Sequence, residues 1–281
     1  MMEDHLTIEA RGLGLDYYSH PIFELLKDLQ SFYDFLSYRS CDYFKGILLT
    51  GKIVSSSIFE SIAATIESIY ILTYIGHLND AFSLIRKLED ALFLSLFIGC
   101  EIDEAELKIA CTSISIREII VNNKVAKWCK TGGKLYNNLE DLLKKIHIDA
   151  ELRSLLNLDS QEKNSKNKEE RQKCNDNVHY NSLRTFEINN NNCRDKSIYL
   201  NQLFNIVVRL LTENFSLLYC IHPEYYSSED YGFSLDEGDI PEEGSQYWVA
   251  SIVQDVFDKY IKPYDKSIAD YLINKDLMNL E

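Results

Sequence analysis

The residues best equipped for chemistry lie in one short polar run, Asn175-Asp176-Asn177-Val178-His179-Tyr180-Asn181-Ser182. His179 carries the one type of side chain whose unperturbed pKa permits proton exchange near neutrality, and amides surround it, which suits general acid–base work. Two more charges stand out upstream. Winding residues 81–98 at ~100° per residue puts Ala81, Leu84, Ile85, Leu88, Leu92 and Leu96 on one arc, with Glu89 inside it and Arg86 at its edge. A carboxylate facing a core is costly unless a cation or several donors meet it. Glu89 therefore reads either as half of a rim ion pair with Arg86 or as part of a polar site between helices.

Such groups need a scaffold, and the sequence predicts an all-α one. The chain has 281 residues, 46% of them hydrophobic, and its 11 Gly and 4 Pro leave long uninterrupted segments. It exceeds the commonest domain size of roughly 100–150 residues, so one large helical bundle with insertions is expected. Residues 1–20 read as a loose start and 21–222 as the bundle. Within it, Ile22, Leu25, Leu26, Leu29, Phe32, Tyr33 and Leu36 set a helix beginning near Pro21. A second helix spans 53–75 and stops at Gly76. Asn79 or Asp80 should cap a third, Ala81–Ile98, which must lie antiparallel to the second because the connection is so short.

Further helices are expected over Glu104–Lys127, Leu139–Ile146, Ala150–Leu158 and Ile198–Tyr219. The mixed-charge run Asp159–Lys173 reads as a solvated helix face or a loop, and 187–197, with Asn189–Asn192, as a loop. In the Ile198–Tyr219 helix the row Asn205, Arg209, Thr212 and Ser216 should face solvent. Region 223–246 is acidic: Pro223–Gly244 holds eight acids and no Lys or Arg, together with Tyr225, Tyr226 and Tyr231. It is either a surface loop or a docking segment for a partner protein. Residues 247–281 should form two helices split at Pro263 and packed on the bundle.

Composition narrows the function classes. The formal charge of −15 repels polyanions and argues against coating DNA or lying on an anionic membrane, although a local phosphate site is still open. The seven cysteines are scattered, without a Cys-x-x-Cys pair or clustered histidines, so they read as buried thiols in a reducing cytosol, with no metal site. Met1–Leu15 lacks the apolar stretch of a secretory signal, and the longest apolar run, Ala91–Cys100, is about half the ~20 residues needed to span a bilayer. No phosphate-binding lysine loop, dinucleotide fingerprint, serine elbow or His-Glu-x-x-His occurs, and no cofactor is expected. His77, His147 and His222 fall at turns or helix ends.

The succession of Gly76-His77-Leu78-Asn79-Asp80-Ala81, then Leu84-Ile85-Arg86-Lys87-Leu88-Glu89, then Val178-His179-Tyr180-Asn181 resembles the HEPN superfamily (higher eukaryotes and prokaryotes nucleotide-binding) over about residues 50–215. That resemblance implies a helical bundle, a homodimer and a place in a bacterial toxin or phage-defence system. Many members look like metal-independent ribonucleases; others are inert scaffolds or nucleotide-binding modules. Their nuclease motif sets four to six residues, the first of them polar, between an Arg and the His, whereas here seven residues lie between Arg171 and His179, and at the better spacing, with five between, stands a lysine, Lys173. RNA cleavage without metal needs a base at the 2′ hydroxyl and a cation beside the developing phosphorane. The implied site is His179 as acid/base, Arg171 or Arg86 as cation, Glu89 as acid and Asn175 to orient the ring, with Lys173 and Asn181 binding ligand. The alternatives are a packing role for His179 against a neighbour such as Glu89, a nucleotide site, and a noncatalytic adaptor using the Tyr-rich acidic segment.

Overall fold

The computed structural model describes residues 12–135, 148–156, 158, 161–179, 183–190, 193, 196–239, 248–275 and 278–281, with the backbone alone for 161–168, 184, 186 and 235. The fold is all-α, and no strand occurs among the described residues. Five long helices build it: α1 (Ile22–Asp42), α2 (Val54–Tyr74), α3 (Leu78–Cys111), α4 (Gln161–His179) and α5 (Lys196–Ile221). In α1 the apolar residues at three- and four-residue spacing are all buried, from Ile22 to Leu36. Helix α1 packs on α2, α2 on α3, and both α4 and α5 on α3, which is therefore the element the site depends on.

The α2–α3 corner forms for local reasons. Gly76 has φ +81°, its N–H donates to the Thr73 carbonyl at 3.0 Å and the His77 N–H to the Leu72 carbonyl at 2.8 Å, the paired bonds that close a helix on a left-handed residue. Lys196, buried at the start of α5, donates to the Gly76 carbonyl at 2.7 Å and so places a cation on the negative end of α2.

Helix α3 begins at Leu78, earlier than the spacing predicts, and neither Asn79 nor Asp80 caps it. The cap comes from the asparagine loop instead. Asn189 Oδ1 accepts from the Asn79 N–H at 2.9 Å while its Nδ2 donates to Asp80 Oδ2 at 3.0 Å. Nor does α3 end near Ile98. Gly99 lies within the helix, and its lack of a side chain lets the His222 ring pack over it, where a Cβ would meet Nε2 at 2.6 Å. The break falls after Cys111, so the expected Glu104–Lys127 helix is the end of α3 followed by Ile116–Asn122 and Lys124–Thr131, started by Ser115 and Asn123 side-chain caps.

The polar row of α5 corrects another expectation. Arg209, Thr212 and Ser216 are buried, along with Glu213 and Asn214, and Asn205 alone of the row is exposed. Other helices enclose α5, and its hydroxyls turn back on their own helix, Thr212 to the Val208 carbonyl at 2.9 Å and Ser216 to the Thr212 carbonyl at 2.7 Å. Among the described residues only this helix is long and apolar enough to cross a bilayer, and 78% of its apolar window is buried in the bundle, as befits a core helix.

Other boundaries also moved. Leu15–Tyr18 is helical and Tyr17 buried, so the expected loose start does not hold there, while residues 1–11 and the expected helix Leu139–Ile146 lie outside the described residues. Tyr225 and Tyr226 are core residues in a 3-10 turn, not surface-loop residues; Tyr226 donates to the Phe215 carbonyl at 3.0 Å. Further along, Glu229–Asp236 forms α6, and residues 240–246 lie outside the described residues. The two closing helices form, but the break falls at Asp265, two residues past Pro263: a π turn at Phe257–Ile261 precedes the ring, the chain stays helical to Tyr264, and a separate helix runs over Lys266–Lys275. Not every thiol is buried: Cys174 is, Cys111 and Cys129 are exposed, and all seven are free.

Replacing the remote cap tests the α3 start. Asn189→Ala should lower unfolding stability in urea by ~1 kcal/mol with an unchanged denaturant slope, since one side chain satisfies the first turn.

Candidate functional site

Glu89 sits on the inner face of α3 at 7% exposure, where helical winding puts it, and the chain meets that cost with cations from two neighbouring helices. Arg171 of α4 brings Nε to 3.3 Å from Glu89 Oε2 and Nη2 to 2.8 Å from Asp90 Oδ1. Arg86 approaches Glu89 at 3.5 Å and pairs closely with Asp90. Buried Arg209 of α5 reaches Glu170 of α4 at 2.8 Å and Glu213, one turn along α5, at 3.1 Å. A polar seam between three helices is thus built, not a two-residue rim pair. The end of the charge run, expected to be solvated, turns inward at Glu170 and Arg171.

The electrostatics follow from burial. Desolvation pushes the Glu89 pKa up, and Arg171, Arg86 and Arg209 offset part of that rise. For Arg209 burial works downward but Glu213, Glu170 and Glu89 outweigh it, so its pKa rises and the guanidinium stays charged. Burial, with the Glu89 charge nearby, pushes the Cys174 thiol up to about 12, which leaves no thiolate nucleophile there. Three guanidinium groups meet four carboxylates, and no cation of the seam faces outward unpaired.

His179 is not brought to this seam. It is the last residue of α4, exposed, eight residues beyond Arg171 and therefore ~12 Å further along the helix axis and about 80° out of phase. No hydrogen bond or ion pair joins it to another described residue, so neither the shared pocket of imidazole, acid and guanidinium nor a bond to Glu89 is present. Asn175, one turn earlier, is half-buried, and Asn181 lies outside the described residues. Lys173 pairs with Glu169 at 3.3 Å on the surface and borders a cavity of about 230 Å³ that also meets Phe82, Asp176, Asn177 and Tyr199. Asn177, not Asn175, is the buried amide of the run; its Nδ2 donates to the Lys173 carbonyl at 2.7 Å while Oδ1 has no partner.

A second cluster is one that spacing in the sequence did not indicate. His222 is buried at 1% exposure and stacks on Tyr225 with ring centroids 4.7 Å apart. Its Nδ1 lies 3.1 Å from both Glu224 Oε1 and Lys45 Nζ, and its Nε2 3.5 Å from Asp103. Lys45 closes the group at 2.5 Å from Glu224 and 3.3 Å from Asp103. The signals in the sequence were faint: a histidine and an acid two apart beyond a helix end, and a glycine, Gly99, in a helical run where a ring must come close. No group of acids, histidines and cysteines suited to a metal ion occurs among the described residues.

No family model matches the chain, and neither a curated protein nor a solved structure matches it.

Burial alone would raise the Glu224 carboxyl, but His222 and Lys45 outweigh it and hold it at about 2, below its ordinary 4.5. A depressed carboxylate stabilises the fold above its unfolded pKa and loses that contribution as pH falls through the folded one. Between pH 4.5 and 2 the protein should therefore lose stability on acidification, and Glu224→Gln should flatten that part of the pH–stability curve in chemical unfolding.

Proposed function

We propose that the chain is a noncatalytic helical adaptor that engages a partner protein, rather than an RNA-cleaving enzyme. One observation carries this: the guanidinium groups of Arg86, Arg171 and Arg209 are each already paired with carboxylates of the seam, and the exposed imidazole of His179 stands ~12 Å along α4 from Arg171. Metal-independent cleavage needs base and cation to converge on one phosphodiester, within hydrogen-bonding reach of its oxygens. A seam with more carboxylates than guanidinium groups repels such a substrate instead of gathering it.

The HEPN resemblance is compatible with this role, because that superfamily also contains helical scaffolds, and it supplies the setting: a component of a bacterial toxin or phage-defence assembly. The acidic surface and the exposed aromatic rings near α6 supply what an adaptor needs, a face to present to a partner.

The purified protein incubated with single-stranded RNA, with and without divalent metal, is expected to leave the RNA intact. His179→Ala is expected to leave any cellular toxicity or protection unchanged. Cleavage that His179→Ala abolishes would overturn the adaptor role.

A further inference from the structure

Building on the adaptor role, we propose that the groove between the end of α1, the Tyr43–Phe44 corner and α6 docks a lysine- or arginine-rich segment of a partner protein. The groove encloses about 680 Å³. Its rim is aromatic, with Tyr38, Phe44 and Phe233 at 58%, 62% and 63% exposure. Its charge is acidic. Glu229, Asp230 and Asp236 of α6 line it, are exposed, and form no ion pair with a described cation. The lining guanidinium, Arg39, is 4% exposed and already bound to Asp42 at 2.5 Å, to Ser227 Oγ at 2.6 Å and to the Ser228 carbonyl at 3.2 Å. Gly232 lets α6 come this close, since a Cβ there would stand 3.3 Å from Arg39 Nη2. Arg39 holds the groove together and is not available to an incoming anion.

The exposed rings beside acids without a described counter-cation point to a basic occupant, and Phe44 is the most exposed feature of the corner. Its φ is +45°, a left-handed conformation that L side chains seldom adopt, and its ring lies mostly in solvent, where no burial compensates. Phe44 follows the C-cap of α1, a place where a left-handed residue closes a helix, yet it presents an exposed aromatic ring where Gly or Asn is usual. The corner is also rigidly held from behind. Lys45, the next residue, is fixed by Glu224 and Asp103 in the His222 cluster, and the Gly46 N–H donates to Glu106 of α3 at 2.6 Å. The buried cluster thereby has a purpose: it clamps the corner that displays Phe44.

Exposed aromatic faces beside unpaired carboxylates recognise ammonium and guanidinium groups, through cation–π contact on the rings and charge-assisted hydrogen bonds to the acids. The apolar strip continues past the corner at Ile47 and Leu48, 44% and 56% exposed, which suits a chain carrying apolar residues next to basic ones. A peptide segment fits both halves of the surface; a free polyamine uses only the acidic half.

The test is fluorescence anisotropy with the full chain and a labelled peptide library about 12 residues long, with Lys or Arg at alternate positions and Leu, Phe or Ser between. The basic library should bind saturably, and the same library with Glu at those positions should not. Phe44→Gly should weaken binding about tenfold or more while the melting temperature stays the same or rises, because the ring is lost and the strained backbone is relieved. Glu229→Gln with Asp230→Asn should weaken binding and flatten its dependence on salt. Absence of saturable binding, binding indifferent to Phe44→Gly, or full displacement by spermine would each overturn the proposal. If the basic library fails and RNA also stays uncut, the docking chemistry alone falls; His179-dependent RNA cleavage removes the adaptor role beneath it.

Discussion

Glu89 must be enclosed without being left alone, and much of the bundle is arranged around that requirement. An isolated carboxylate in an apolar helix interface is too costly to keep ionised. The chain meets the problem by placing Arg171 on α4 and Arg86 on α3 against it, with Arg209 on α5 close enough to contribute to its field. Each cation in turn needs its own acids, so Asp90, Glu170 and Glu213 are drawn in and the seam locks three helices in one register. Such a network does more for specificity of packing than for net stability, because desolvation consumes much of the attraction.

The same seam commits its cations: Arg86, Arg171 and Arg209 each pair with carboxylates of the bundle, while His179 at the exposed end of α4 forms no hydrogen bond or ion pair with another described residue. Among the exposed surfaces, the aromatic corner at Phe44 and the acids of α6 stand out. The His222 cluster links the two levels. It is buried like the seam, yet its Lys45 sits next to the displayed ring, so interior electrostatics set the shape of the exterior.

Much of the architecture was legible from periodicity alone. Buried positions from Ile22 to Leu36, the stop at Gly76 and the inward placement of Glu89 all follow from the helical period and the left-handed glycine corner. What was not legible depended on distant partners. Asn189 caps α3 across more than a hundred residues, and nothing local to Asn79 or Asp80 announces it. Arg209, Thr212 and Ser216 look like a solvent row until other helices are seen to surround α5. Glu170 and Arg171 belong by composition to a solvated run, and only tertiary packing makes them half-buried partners of the seam. For the site, helical winding alone puts Glu89 on the inner face of α3 with Arg86 beside it, whereas Arg171 and His179 join them only through the family resemblance, and the eight-residue step between those two on α4 sets them ~12 Å apart along the helix axis. Little in the sequence marks His222, because a histidine beyond a helix end carries no periodic signature.

A double-mutant cycle on Glu89→Gln and Arg171→Met, read by urea unfolding, is the most direct test of a seam whose charges are spent on one another. Each single change should cost more than the pair together, with a coupling of about 1.5 kcal/mol or greater, as expected when one partner is left buried and uncompensated. Additive effects below about 0.5 kcal/mol would mean that the two groups act independently, leaving Arg171 free for a role outside the fold.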